Sequence, residues 1–172
     1  MIVLMAGLPG TGKSTLAGEL ARGIGERVVS KDEFRHAIFQ PEEIEYSSQQ
    51  DDFCLQLMVE TAAFLLSRDP KKVVFLDGRP FSRRYQIENV LAFGDALHQP
   101  CRILECVCPE AVVRQRLEKD SVVGDHPAGN RDFALYLDVK ARFEAITFPK
   151  FVIDTSQDLE ECVRQALPYL RR

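Results

Sequence analysis

Five short apolar runs rich in β-branched residues recur along the chain: Ile2–Ala6, Val28–Ser30, Val73–Leu76, Ile103–Val107 and Phe151–Ile153. Each is followed by a longer stretch whose apolar positions return with helical spacing. The spacing predicts helices over Lys13–Gly25, Lys31–Phe39, Gln49–Arg68, Ser82–His98, Pro109–Lys119, Arg131–Ile146 and Gln157–Leu170, with Pro109 suited to a first helical turn. Strands alternating with helices in this way describe an α/β fold, a parallel sheet with helices on both faces. Within the helices, the stripe Phe53, Leu57 and Phe64 and the pair Phe143 and Ile146 read as core packing. Two segments break the pattern. Pro41–Ser48 reads as a loop, and Asp120–Asn130, with two glycines and a proline among charges, reads as a mobile loop.

The sequence shows no internal repeat or low-complexity tract, and 172 residues at 45% hydrophobic fit one domain over residues 1–172. The 22 basic and 26 acidic residues leave a net charge of −4 with no basic run, so a nucleic-acid partner is not expected and any polyanion must be held locally. Met1–Ala6 lacks a basic leader and is too short for a signal-peptide core, and no stretch approaches the roughly 18 apolar residues of a membrane span. The expectation is a cytoplasmic protein without a membrane partner, a monomer or a homodimer. Five cysteines without CxxC spacing indicate neither a disulfide framework nor a zinc site. Cys106 and Cys108 alternate along one apolar run and read as small buried hydrophobes on one strand face. His36, His98 and His126 are scattered without metal-ligand spacing.

One stretch carries specific chemistry. Gly7-Leu8-Pro9-Gly10-Thr11-Gly12-Lys13-Ser14-Thr15 matches the phosphate-binding pattern GxxxxGK[ST], with a strand before it and a helix after it. Its glycines let backbone N–H groups turn inward around a phosphate, Lys13 offers a point charge to the β- and γ-phosphates, and Ser14 can ligate Mg²⁺. The helix that starts there presents its positive dipole end to the anion. ATP with Mg²⁺ is the expected nucleotide. A guanine reader of the form Asn-Lys-x-Asp is absent, since neither Asn89 nor Asn130 precedes a lysine, and a ring-forming motor would carry an acidic pair where this chain has Leu76-Asp77-Gly78.

With these motifs the chain resembles the small P-loop kinases that include zeta-toxin-like, chloramphenicol phosphotransferase-like, adenylylsulfate kinase-like and polynucleotide kinase-like proteins. The matching segments are the phosphate loop, Asp32-Glu33-Phe34-Arg35 after the second strand, "DGRPFSRR" after the third, and the arginine-bearing helix "PEAVVRQRLEKD" before the Asp120–Asn130 loop. The resemblance implies a P-loop NTPase three-layer sandwich, a five-stranded sheet in the order 2-3-1-4-5, and a lid at about residues 120–131. Ligands then lie at the carboxyl ends of the strands.

It also implies roles for individual residues. Asp32 would orient and deprotonate an acceptor hydroxyl, although an aspartate there also suits a helix N-cap, a place Ser30 can take instead. Glu33 is the fallback base. Arg35, three residues on, shares the face of Asp32 or is a surface arginine. Asp77, costly at the end of an apolar strand, would hold a Mg²⁺-bound water or Ser14, or else form a turn before Gly78. Arg79, Arg83 and Arg84 could clamp an acidic acceptor and are read here as solvated charge. Arg114 and Arg116 point to different sides of their helix, Arg116 fits the family position facing the triphosphate, and Arg131 would swing in as the lid closes. Many relatives have a further arginine where this chain has Asp120. Thr155, after the last strand, stands where similar kinases approach the adenine. The activity implied is transfer of the γ-phosphoryl group to a hydroxyl of a small-molecule acceptor. The alternatives are a polynucleotide or tRNA 5′-hydroxyl kinase, a zeta-toxin-like nucleotide-sugar kinase, and a non-catalytic ATP-binding regulator.

Overall fold

All five side chains of the first strand, Ile2–Ala6, are fully buried, because this strand is central in a parallel sheet covered on both faces. The structure is a computed structural model that describes residues 1–123 and 132–171, with side chains described for 1–120 and 132–171. In chain order the elements are β1 (Ile2–Ala6), α1 (Lys13–Ile24), β2 (Arg27–Ser30), α2 (Lys31–Ile38), a 3₁₀ turn (Pro41–Glu43), α3 (Ser48–Arg68), β3 (Val74–Asp77), α4 (Arg84–Ala96), β4 (Cys101–Val107), α5 (Glu110–Val123), α6 (Phe133–Ala141), β5 (Phe151–Asp154) and α7 (Leu159–Leu170). The sheet order is β2-β3-β1-β4-β5, every pairing parallel, as the family resemblance implied.

The pleat of β1 divides the core. Ile2, Leu4 and Ala6 meet Leu55, Met58, Ala62 and Leu66 of α3 and Ile87 and Val90 of α4, while Val3 and Met5 meet Leu16 and Leu20 of α1 and Ala166 and Leu170 of α7. A third, smaller cluster joins Val113 and Leu117 of α5 to Tyr136 of α6, with Leu8 of the phosphate loop packed against it. Burial pushes the Cys106 thiol up to about 12, so it sits in the core as an uncharged small hydrophobe at neutral pH. Among the described residues no helix is long and apolar enough to cross a membrane.

Several expected details change. Phe53 and Phe64 are 46% and 60% exposed rather than core. The inward face of α3 is instead the row Cys54, Met58, Ala62 and Leu66, with Leu55 and Val59 beside it. The helix expected over Arg131–Ile146 spans only Phe133–Ala141. Asp132 caps its start, accepting from the Leu135 N–H, and after it the chain peels away so that Ile146, Phe143 and Phe148 reach the core. Asp120, expected to open a loop, lies within α5, which continues to Val123. The helix expected over Ser82–His98 is Arg84–Ala96, with Ser82 buried before it and His98 at φ 53 after it. Cys106 and Cys108 do not share a strand face: β4 ends at Val107, and Cys108 packs on the third cluster instead.

Phe75, fully buried in the central layer, sets the scale of the core. Phe75→Ala is expected to lower the free energy of unfolding by about 3–5 kcal/mol, read by urea denaturation.

Candidate active site

The phosphate loop leaves β1 through Gly7, whose φ is 130°. A Cβ there would stand 2.3 Å from the backbone oxygen of Cys106, so the loop runs against the end of β4 where only glycine fits. The Gly7 N–H donates to the Pro80 carbonyl at 3.1 Å, which ties the loop to the segment after β3 as well. Thr11 Oγ1 donates to the Leu8 carbonyl at 2.8 Å and closes the turn. Gly12, at φ 75°, is the residue before α1, and the first turn of α1 holds no acidic side chain to compete with an anion. Lys13 is buried, and its Nζ donates to the same Leu8 carbonyl at 2.8 Å.

Two cavities flank this loop. One, of about 290 Å³, is lined by Pro9, Lys13 and Ser14 on the loop side, by Asp32 and Arg35 of α2, and by Arg79 after β3. The other, of about 480 Å³, is lined by Gly10, Gly12, Ser14 and Thr15, by Arg116 of α5, and by Thr155 and Gln157 after β5. Ser14 lies in both.

The first cavity holds a buried ionic cluster built from three elements. Ser30 is the N-cap of α2, its Oγ accepting from the Glu33 N–H at 3.4 Å, so Asp32 is not spent on capping. Asp32 is 8% exposed, its Oδ1 accepting from Arg35 Nη1 at 3.0 Å, and no hydrogen bond among the described residues engages its Oδ2. Arg35 is no surface arginine. It is 1% exposed, donates also to Gln50 Oε1 at 3.2 Å and to Asp51, and lies over the Tyr46 ring at 4.9 Å. Lys31 Nζ donates to Asp51 Oδ1 at 2.7 Å. Glu33 is exposed and does not line the cavity. Lys31, Tyr46, Gln50 and Asp51 were not anticipated. Their signal in the sequence is faint, a polar run Gln49-Gln50-Asp51-Asp52 opening an otherwise apolar helix.

Asp77 closes β3 one step past the Leu4–Leu76 register with β1, and it pairs with Ser30 of β2. It is 3% exposed and its Oδ1 has no hydrogen-bond partner among the described residues. A bare buried carboxylate oxygen is costly, and a cation-bound water beside the phosphate loop would satisfy it, so these residues fit a Mg²⁺ site. Among the described residues no group of three or more His, Cys, Asp or Glu could hold a metal by itself, so such an ion would take its remaining ligands from phosphate and water.

Of the three arginines expected to be solvated, Arg79 is 2% exposed, with Nη2 at 2.6 Å from Asp52, whereas Arg83 is half-buried and bound to Glu144, and Arg84 is exposed and bound to Glu88. Arg114 stacks on the Phe133 ring at 3.7 Å. Arg116 reaches the other way, with Nη2 2.6 Å from the Thr155 carbonyl oxygen. Thr155 is buried, and its Oγ1 donates to the Thr11 carbonyl at 2.7 Å, joining the loop after β5 to the phosphate loop. Arg131, His126 and residues 124–131 of the expected lid lie outside the described residues.

A family model described as an AAA domain matches residues 2–146. No curated protein matches the chain. Among solved structures, an unliganded sugar kinase from Janibacter sp. HTCC2649 is 19% identical with TM-score 0.72, over 99% of this chain and 94% of that one. The Mycobacterium tuberculosis APS kinase in complex with AMPPNP and APS is 16% identical with TM-score 0.73, over 99% and 97%. Kti12 from Chaetomium thermophilum in complex with ADP–AlF3 is 15% identical with TM-score 0.71, over 99% and 97%. At such identities the likeness speaks for the fold alone. It is a fold of nearly full-length agreement, and the family match begins at the first residue of β1 and runs through the phosphate loop, the ionic cluster and α6. The chain therefore belongs to the AAA domain family and has the fold of the small P-loop kinases.

Proposed function

We propose that this protein is an ATP-dependent kinase that transfers the γ-phosphoryl group to a hydroxyl of a small-molecule acceptor. The observation that carries this reading is the placement of two cavities against one phosphate loop, with the buried carboxylate of Asp32 in the smaller. A protein that only bound nucleotide would need one of them. A polynucleotide acceptor would call for an extended basic groove, whereas this cavity is about 290 Å³ and the chain is net acidic.

In this reading the nucleoside lies in the larger cavity, beside Thr155, and the triphosphate follows the loop amides into the smaller one. An incoming phosphate oxygen replaces the Leu8 carbonyl as the partner of Lys13 Nζ. Arg116, standing at the Gly12 edge of the loop, adds positive charge to the transferring group. When bound, Mg²⁺ supplies charge neutralisation on the β- and γ-phosphate oxygens, with Ser14 as its protein ligand and Asp77 holding one of its waters. The acceptor hydroxyl oxygen forms a bond to the γ-phosphorus, the bond from that phosphorus to the β–γ bridging oxygen breaks, and ADP departs. The hydroxyl proton passes to Asp32, which Arg35 holds in place at 3.0 Å. Positioning and electrostatics supply most of the rate, because this transfer asks little covalent chemistry of the protein.

A screen of hydroxyl-bearing metabolites for acceptor-dependent ADP release tests the proposal. Release above the ATP-only rate is expected for at least one, and Asp32→Asn should lower it by about 10²–10⁴-fold while leaving ATP affinity near that of the parent. Equal rates for parent and variant would remove Asp32 as the base. Asp77→Asn should raise the Mg²⁺ concentration needed for half-maximal rate by about 10–100-fold; an unchanged Mg²⁺ requirement would contradict its assignment.

A further inference from the structure

The smaller cavity is strongly one-signed. Six cationic side chains line it, Lys13, Lys31, Arg35, Arg79, Arg83 and Arg142, against two carboxylates, Asp32 and Asp51. Those two carboxylates are already matched, since Lys31 and Arg35 both contact Asp51 and Arg35 also contacts Asp32. Lys13 belongs to the phosphate loop. The surplus is therefore Arg79, Arg83 and Arg142, which enter from the segment after β3 and from the end of α6. Their own partners, Asp52, Glu144 and Asp138, do not line the cavity, and each keeps 44% or more of its side chain exposed. Countercharge in water screens weakly what faces a pocket of lower dielectric.

Arg79 departs furthest from ordinary surface behaviour. Its side chain is 3% exposed, and among the described residues its Nε and Nη1 are buried without a hydrogen-bond partner. Arginine cannot shed its proton, so these N–H groups call for an acceptor oxygen, from water in the free protein or from a ligand that reaches them. A neutral hydroxyl would meet one of them without offsetting the charge. A phosphate, sulfate or carboxylate brings several acceptor oxygens together with the opposite charge. Around the three arginines, Ser48, Ser82 and Tyr85 offer polar groups suited to the rest of a hydroxylated skeleton.

We propose that the acceptor is a small hydroxyl compound bearing an anionic group, a phosphate, sulfate or carboxylate, and that Arg79 with Arg83 and Arg142 binds that group. This deepens the kinase reading and rests on it for the identity of the cavity's occupant as acceptor, while the anion site itself can be tested by binding alone.

The test is calorimetric titration of the full chain in saturating Mg²⁺ and AMPPNP, so that the phosphate loop is filled. The probes are ribose and glucose, each compared with its phosphate-, sulfate- or carboxylate-bearing derivative. At least one anionic member is expected to bind about tenfold or more tightly than its neutral parent, the difference made by charge-assisted hydrogen bonds. Arg79→Met should erase that preference with AMPPNP affinity unchanged. Should that variant fail to fold, Arg79→Lys and the exposed-site change Arg142→Ala take its place, each expected to reduce the preference by several-fold. Equal binding of charged and neutral members, no binding by any charged member, or a preference that survives these substitutions overturns the proposal. ADP release with the same compounds reads the kinase proposal separately. Anion binding without turnover upholds the charged site and removes the kinase, and turnover confined to neutral members does the reverse.

Discussion

The close passage of the chain at Gly7, where a Cβ would sit 2.3 Å from the Cys106 backbone oxygen, sets the geometry on which the site depends. It holds the phosphate loop at the carboxyl edge of the sheet, between β3 on one side and β4 on the other. The strand order runs outward from β1 in both directions, and ligands of open α/β sheets bind where that reversal occurs. One loop of amides thereby serves two cavities. The β3 side brings Asp77, Arg79 and the start of α2, and the β5 side brings Thr155. Hydrogen bonds from the Gly7 N–H to the Pro80 carbonyl and from the Thr155 hydroxyl to the Thr11 carbonyl tie each side to the loop.

Around that loop the protein places charge where an apolar core would be more stable. Arg35 is 1% exposed yet meets Asp32, Asp51 and Gln50, so each of its three guanidinium nitrogens has a partner that offsets its desolvation. Arg79 and Asp77 are different, each buried with donor or acceptor atoms left open. Open polar atoms in a core cost stability, and their concentration at the carboxyl end of β3, beside the phosphate loop, suits groups kept for ligands rather than for folding.

What the sequence shows plainly is local. The phosphate loop is legible because its glycines answer a backbone demand within nine residues, and the strands are legible because a doubly covered parallel sheet needs continuous apolar runs. Asp77 stands out since a carboxylate ending such a run asks for a reason. The rest depends on partners far along the chain. Whether Arg35 is buried is settled by Asp51, and whether Arg79 is buried by Asp52, both near the start of α3. Nothing local distinguishes these arginines from solvated ones. The face of α3 is ambiguous for another reason: apolar residues surround it, and only the sheet beneath decides that Met58 and Ala62 point inward while Phe64 stays 60% exposed. At the end of α6 the helical pattern continues past Ala141 because Phe143 and Ile146 are apolar for a different purpose, insertion into the core from an extended segment.

The central claim is that the loop amides and Lys13 together grip a nucleoside triphosphate. Isothermal titration of ATP into the folded chain with magnesium present tests it most directly. The account predicts a single saturable site, and for Lys13→Ala, with its circular dichroism unchanged, binding weakened by about tenfold or more. Absence of any binding by the parent, or an identical isotherm for the variant, would contradict it.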